Sequence, residues 1–175
     1  MQTILYKYTD EAKRLMSVHG HELEPVRGTV VSAGLDLKVC SKKPVHIAPY
    51  QTVKIGTGIC ICLESGIEYP DINNTIFKNI PKFIHSAPLV GLVVPRSSCK
   101  GLQLENTVGI IDQDYQGEIF LKLYNKTEDT IILSPCERIA QLIILPCVIP
   151  ELVEVEEFRH ITARAGAGDG STGRF

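Results

Sequence analysis

The sequence predicts an all-β domain, because short apolar segments recur at close spacing and no crossover helix separates them. These segments, rich in Val, Ile and Leu, are TVKIGTGICICL (52–63), PLVGLVV (88–94), EIFLKLYN (118–125), TIILS (130–134) and RIAQLIILPCVI (138–149). Turn-forming residues lie between several of them, for example Ser-Pro-Cys-Glu at 134. Antiparallel strands need only short turns, so we expect a sandwich or barrel of antiparallel strands.

Three segments depart from this pattern. EAKRLMSVHG (11–20) is compatible with a short helix, but its apolar spacing is weak and the sequence leaves this element open. Residues 64–87 contain prolines, paired asparagines and isolated aromatics, which indicates an inserted loop or small hairpin. After an acidic stretch that begins at Glu151, a glycine-rich tail has too few apolar residues for a core of its own. We therefore expect a β domain at 1–150, with an insert at about 64–87, and a flexible C-terminal arm at 151–175.

Charge and composition exclude several classes of partner. The 175 residues carry a net charge of -2, so no overall positive field favours a nucleic acid or an anionic membrane. The N-terminus lacks a signal-peptide pattern and no window has about 20 apolar residues, so we expect a soluble, intracellular protein, in the cytoplasm or the nucleus. The six cysteines form no C-x-x-C pair, which favours buried, reduced thiols over a metal site.

Two motifs combine a strand with polar residues. In SAGLDLKVC (32–40), Gly34 permits a tight turn, and Asp36 either caps that turn or takes part in chemistry. In PRSSCKGLQLEN (95–106), Arg96, Ser97 and Ser98 follow an apolar strand. A guanidinium group with hydroxyls and turn amides suits phosphate oxygens, and the alternative is a helix N-cap with a surface arginine.

The segment GIIDQDYQG (109–117) places two carboxylates and a tyrosine between apolar flanks. In an extended chain Asp112 and Asp114 share a face, and a turn before Asp112 would fold residues 106–117 into a hairpin. The free backbone groups of a hairpin can pair with the edge of a nucleobase, and a carboxylate there can accept a proton from water. The alternative is a polar hairpin tip.

Two further motifs are weaker. In RIAQL (138–142) the amide of Gln141 lies among apolar neighbours, where unpaired it would cost about 1–3 kcal/mol. The tail repeats G-x-G-x-G without a following helix or lysine, which excludes a dinucleotide fingerprint and a P-loop. An anion-binding arm and a disordered tail both remain open.

Five of these segments, in this order, resemble the trimeric dUTPase family over about residues 26–175. They are AGLDL at 33, PRSS at 95, NTVGIIDQDYQG at 106, ERIAQL at 137 and GDGSTG at 168. The resemblance implies a distorted antiparallel jelly-roll-like subunit (a dUTPase-like β-clip) with little helix. It also implies a homotrimer with active sites shared between subunits, a Mg²⁺ cofactor, and hydrolysis of dUTP to dUMP and pyrophosphate.

The resemblance also implies roles for single residues. Asp112 resembles the base that activates the water, Asp36 the carboxylate that holds Mg²⁺ through water, and Tyr115 the ring beneath the deoxyribose. Asp114 is assigned to hydrogen bonding within the hairpin. The remaining positions resemble substrate contacts: Asn106, Gly109, Ile110 and Ile111 for uracil, Arg96, Ser97, Ser98 and Gln141 for phosphate, and Arg164, Gly170 and Ser171 in the arm.

The chain departs from the family pattern at three places. Asp169 occupies the position of a phenylalanine that stacks on uracil, and the lost stacking of about 1–3 kcal/mol predicts a KM up to about a hundredfold higher unless Phe175 replaces it. Ser98 replaces a glycine, and the segment between Arg96 and Asn106 is about three residues shorter than in the family. The insert at 64–87 is extra and offers a surface for a protein partner.

Two other functions are compatible with the same motifs. One is a dUTPase-fold regulatory or protein-binding module with weak or no catalysis, favoured by the altered tail and the insert. The other is the dCTP deaminase branch of the fold, which lacks the tyrosine that stands here at Tyr115.

Overall fold

The computed structural model describes residues 4–63, 87–99 and 101–159, and within these ranges the chain forms one α-helix and eleven β-strands. In chain order they are β1 (Leu5–Tyr8), α1 (Asp10–His19), β2 (Val26–Arg27), β3 (Leu35–Lys38), β4 (Val45–Ile47), β5 (Thr52–Cys62), β6 (Leu89–Pro95), β7 (Leu102–Leu104), β8 (Gly109–Ile111), β9 (Glu118–Asn125), β10 (Ile131–Leu133) and β11 (Arg138–Pro146).

The strands form two larger antiparallel sheets and one small one. The first sheet has the order β1-β5-β9-β7, the second has the order β2-β3-β11-β6-β8, and β4 pairs with β10. The core is contiguous and takes buried apolar side chains from both larger sheets. In β9, for example, Ile119, Leu121 and Leu123 are buried while the residues between them are more exposed. The predicted all-β, antiparallel, jelly-roll-like fold is confirmed.

The segment that the sequence left open is helical. Thr9 caps α1, because its Oγ1 accepts a hydrogen bond from the Ala12 amide at 3.2 Å, and Gly20 ends the helix at φ 64°. Only Ala12 and Leu15 are buried, which explains the weak apolar spacing. Among the described residues no helix has the length and hydropathy of a membrane span.

The C-terminal part leaves the sheet after Pro146. Residues 147–159 form neither helix nor strand, and several of their apolar side chains are exposed, including Ile149, Leu152 and Phe158. The boundary at 150 and 151 remains a prediction. Apart from Ala87, the insert at 64–87 lies outside the described residues, as does the arm from residue 160 onward.

Candidate active site

Three adjacent strands bring three of the motifs together. Gln141 on β11 pairs with Asp36 on β3 at one side and with Val94 on β6 at the other. Arg96 directly follows β6, so it lies at the same end of the sheet. Residues from positions 36, 96 and 141 of the chain therefore form one cluster, which we call the phosphate cluster.

A buried carboxylate organises two arginines in this cluster. Asp36 is 7% exposed, and its Oδ1 lies 3.0 Å from Nε of Arg96 while its Oδ2 lies 3.3 Å from Nη1 of Arg138. Two guanidinium groups face this one carboxylate, and the carboxylate of Glu137 lines the same cleft. Because both arginines remain partly exposed, they can bind an anion from solvent.

Arg138 is a residue that the sequence reasoning missed. It stands in the quoted ERIAQL, where its charge at the first position of β11 resembles the placement of Arg96 at the end of β6. Its partner, Asp36, lies 102 positions away in the chain, and the ion pair depends on the pairing of β3 with β11. A charged residue at a strand end was therefore the available signal.

The chain turns sharply after Arg96. The Cys99 amide donates to the Arg96 carbonyl at 3.0 Å, and the Arg96 amide donates to the Ile139 carbonyl at 3.3 Å. The described residues of this segment form a turn, so the helix N-cap alternative is wrong for this part of the chain. Ser97 and Ser98 are exposed, and Ser98 and the two arginines line a cleft of about 500 Å³.

A thiol stiffens the same turn. The Sγ of Cys99 donates to the carbonyl of Ile139 at 3.1 Å, and burial raises the pKa of this thiol. The group is therefore a neutral hydrogen-bond donor at neutral pH rather than a thiolate nucleophile. All six cysteines lie in the described residues as free thiols, but only Cys60 is buried and the other five are partly exposed, so the predicted burial is found for Cys60 alone.

Gly34 has a different function from the tight turn that the sequence suggested. Its φ is not in the left-handed region, which among glycines of the described residues occurs at Gly20, Gly58 and Gly101. A Cβ at Gly34 would instead overlap Oε1 of Gln141 and lie 3.0 Å from its Cδ. Glycine is needed here because the side chain of Gln141 fills the space beside it.

The motif around Asp112 forms a second cluster, which we call the carboxylate loop (residues 106–117). Its strand β8 does not fold back on the loop itself, as the predicted hairpin required, but pairs with β6, with Ile111 opposite Gly91. β8 is the last strand of its sheet, so within the described residues its outer edge is free for another hydrogen-bonding partner. Asn106 lies in the turn that precedes β8, where its carbonyl accepts from the Val108 amide at 2.6 Å.

The acidic residues of the carboxylate loop face solvent. Asp112 and Asp114 are exposed and line a cleft of about 550 Å³ together with Gln113, Gln116 and residues at the start of β6. Tyr115 is 40% exposed and donates its hydroxyl to the Glu118 carbonyl at 2.7 Å. No hydrogen bond of the Asp114 side chain occurs within the described residues, so its assigned role inside the hairpin remains a prediction.

Within one chain the two clusters are far apart. Asp112 follows Ile111, which lies opposite Gly91, whereas Gln141 lies opposite Val94. At about 3.3 Å per residue along β6 and about 4.8 Å per strand across the sheet, the Asp112 and Gln141 backbones are separated by about 16 Å. An aspartate and a glutamine side chain would meet at one phosphate across this distance only if both extended directly toward each other through the attacking water.

The described residues contain no group of three or more His, Cys, Asp or Glu side chains placed to hold a metal ion. Asp36 offers a single carboxylate, and an arginine occupies one site on each of its oxygens. A carboxylate has about four lone-pair sites, so two remain for water molecules. This arrangement fits an indirect, water-mediated metal contact.

The predicted arm residues Arg164, Gly170 and Ser171, together with Asp169, lie outside the described residues. The other predicted site residues fall into the two clusters. Together, the antiparallel fold and the two arginines around Asp36 define a β-sheet protein with a candidate site for an anionic ligand.

Comparison with known proteins identifies the family. The sequence profile of the dUTPase family matches residues 67–173. A deoxyuridine 5'-triphosphate nucleotidohydrolase of Psychrobacter sp. (strain PRwf-1) is 35% identical over 153 residues, which are 86% of this chain and 86% of that protein. One of Acinetobacter baumannii (strain ATCC 17978) is 37% identical and covers 86% of this chain and 87% of its own length. The chain belongs to the dUTPase family.

Two solved structures agree with this assignment at the level of the fold. The dUTPase of Staphylococcus bacteriophage 80alpha with dUPNHPP superposes with a TM-score of 0.72, at 23% identity and with 99% of both chains covered. The dUTPase from Streptococcus mutans superposes with a TM-score of 0.58, at 25% identity over 83% of this chain and 98% of that one.

Proposed function

We propose that this chain is a dUTP diphosphatase, which hydrolyses dUTP to dUMP and pyrophosphate with Asp112 as the base. The carboxylate takes a proton from water, the water oxygen bonds to the α-phosphorus, and the bond to the bridging oxygen breaks so that pyrophosphate leaves. The observation that carries the proposal is the phosphate cluster, in which Asp36 orients two arginines in a chain of the dUTPase family.

The phosphate cluster would hold the triphosphate. Arg96 and Arg138 provide charge, and the turn after Arg96 presents the hydroxyls of Ser97 and Ser98. Gln141 lies in the neighbouring strand with its amide beside Gly34, where it would donate to the α-phosphate. Charge-assisted hydrogen bonds of this kind strengthen as negative charge develops on the phosphoryl oxygens.

The carboxylate loop would select the base and the sugar. The free edge of β8, from Gly109 to Ile111, would pair with the edge of uracil, with Asn106 beside it. Cytosine presents the opposite order of donors and acceptors and would leave these backbone groups unpaired. The ring of Tyr115 would lie against the deoxyribose and leave no room for a 2′-hydroxyl.

The distance between the clusters supports a site shared between subunits. Asp112 and Gln141 are both assigned to the α-phosphate, and their backbones lie about 16 Å apart within one chain. We therefore propose that the carboxylate loop of one copy faces the phosphate cluster of another, in a homotrimer. Arg164, Gly170 and Ser171 would complete the phosphate contacts from the arm.

Enzymes of this family use a divalent metal ion. We propose Mg²⁺, with Asp36 in contact through water, because Mg²⁺ keeps several waters and takes most of its ligands from substrate phosphates. When bound, the ion would offset negative charge on the triphosphate and on the departing pyrophosphate.

The proposal is tested by pyrophosphate release from dUTP, dTTP, dCTP and UTP, with Mg²⁺ and with excess EDTA. We expect rapid release from dUTP only, and only with the metal. Ammonia release from dCTP would instead indicate a deaminase.

Asp112→Asn should lower kcat by at least about a hundredfold, within the range for loss of a general base, and leave the affinity for dUTP within a few fold of the wild type.

Asp114→Asn is the matched control, since this carboxylate is also exposed and lines the same cleft two residues away. We expect it to retain at least about half of the wild-type kcat, because it is not assigned to the water. Equal losses in the two variants would refute the assignment of Asp112. Wild-type protein that binds dUTP without releasing pyrophosphate would refute the catalytic function and favour the regulatory alternative.

A further inference from the structure

The ring of Tyr115 is fixed by the residues that follow it. Its hydroxyl donates to the Glu118 carbonyl at 2.7 Å, and its amide donates to the Asp112 carbonyl at 3.1 Å. A Cβ at Gly117 would lie 2.7 Å from Cζ of the ring, so the ring packs directly on this glycine. The phenol has a single O–H donor, and its hydrogen bond goes to the backbone carbonyl of Glu118. The first residue of β9 therefore helps to set the position of the ring.

The start of β9 is attached to β5 at an irregular position. The register between the two strands shifts between Gly56 and Cys60, and Gly58 in this interval has a φ of +72°. The regular ladder is interrupted there. A side-chain hydrogen bond replaces the missing backbone pairing in this bulge: Oε1 of Glu118 accepts a hydrogen bond from the Gly58 amide at 2.8 Å.

The space around the Glu118 carboxylate is closely defined. A Cβ at Gly56 would overlap Glu118 Oε1, so the carboxylate occupies the room that this glycine leaves. On the other side, the Gly58 carbonyl accepts from the amide of Thr9, the N-cap of α1. A second bond crosses the bulge beside it, from Thr57 Oγ1 to the Ile119 carbonyl at 2.8 Å. The bulge is thus held from two elements, β9 and the start of α1.

We propose that Glu118 is a positioning residue for sugar selection. Its carboxylate holds the bulge of β5 and thereby fixes its own backbone carbonyl, which in turn holds the hydroxyl of Tyr115. The inference rests on the proposed function, in which the Tyr115 ring excludes a 2′-hydroxyl. A ring released from this support moves away from the sugar and makes room for ribose.

The test compares kcat and KM for dUTP and for UTP in the wild type, Glu118→Ala and Glu118→Gln. Alanine leaves the Gly58 amide without its acceptor, whereas glutamine can present an oxygen at the same place. We expect Glu118→Ala to lower the ratio of kcat/KM for dUTP over that for UTP by about tenfold or more, and Glu118→Gln to stay within about threefold of the wild type.

Glu105→Ala is the matched control, because Glu105 is a half-exposed glutamate that directly follows β7 of the same sheet, with its carboxylate 3.9 Å from Nζ of Lys122. We expect it to leave the ratio of kcat/KM for dUTP over that for UTP unchanged.

Amide hydrogen exchange at Gly58, followed by NMR, gives a readout that does not depend on turnover. Exchange should be faster in Glu118→Ala and close to wild type in Glu118→Gln.

Two results would overturn the role of Glu118. One is an unchanged ratio in Glu118→Ala protein whose Gly58 exchange is accelerated, and the other is unchanged Gly58 exchange in that variant. Failure of the proposed function is distinct from both, because the wild type would then release no pyrophosphate from dUTP, and the function and this role would fall together.

Discussion

Substitution of Gly34 by alanine should disturb a residue 107 positions away in the chain. The new Cβ would overlap Oε1 of Gln141 and lie 3.0 Å from its Cδ and 3.1 Å from its Cβ. The Gln141 backbone cannot retreat, because β11 is paired on both sides, with β3 and with β6. The amide must therefore rotate out of the space that it occupies.

The size of the effect follows from these contacts. The Cδ and Cβ contacts fall short of ordinary van der Waals distance by a few tenths of an ångström, but the overlapping oxygen has to leave its position altogether. A displacement of about 1 Å in a substrate-positioning group can cost about a hundredfold in rate. We expect kcat/KM for dUTP to fall by about 10- to 100-fold, or about 1.4–2.7 kcal/mol.

The assay is pyrophosphate release from dUTP, with Gly28→Ala as the matched control. A Cβ at Gly28 would meet only Ser32 Oγ, at 3.5 Å, which is an ordinary contact, so this variant should retain wild-type activity. Gln141→Ala removes the group that Gly34 accommodates. The loss caused by Gly34→Ala should therefore largely disappear in the Gln141→Ala background. Additive losses in the double variant would refute the reasoning.

Three further predictions concern stability and the arm. Asn125→Ala should lower the free energy of unfolding, measured in urea, by about 2–4 kcal/mol, because this amide is fully buried and hydrogen-bonded. Its Nδ2 lies within hydrogen-bond distance of the carbonyls of Ile47, Ala48 and Asp129, and its Oδ1 accepts from Thr127. Burial, together with the nearby Glu118 and Glu11 carboxylates, raises the pKa of Cys40 to about 11. The free energy of unfolding should therefore fall as pH rises from about 9 through about 11, and Cys40→Ala should reduce that fall. Asp169→Phe should raise kcat/KM for dUTP by about 5- to 100-fold, mainly through KM, if stacking on uracil is restored.

Each of these predictions has a control or a contrary outcome. Gln51→Ala, at an exposed position near Asn125, should change stability by no more than about 0.5 kcal/mol. The sign for Cys40 follows from the raised pKa: the folded state favours the neutral thiol, so its contribution is complete below the unfolded pKa and is lost above it. An identical alkaline profile in Cys40→Ala would contradict this. An Asp169→Phe variant with unchanged kcat/KM would show that the arm does not act by stacking.

Much of the fold was readable from local pattern. Alternating apolar residues in segments such as EIFLKLYN predict strands with one buried face, and β9 has that pattern. The helix α1 was left open because a cap and two buried residues, rather than a long apolar stripe, account for it. The motif residues were also recognisable, since each carries a chemical group suited to a phosphate or a water molecule.

Five strands (β5, β6, β9, β10 and β11), the family and the chemical groups available for the site follow from the sequence alone. Which of these groups meet depends on the folded sheets, because strand register is fixed by burial of the whole core rather than by neighbouring residues. Pairing of β3 with β11 places Asp36 against Arg138, and pairing of β8 with β6 moves Asp112 away from Gln141. The space beside Gly34 likewise has a function only because a side chain from a distant strand fills it.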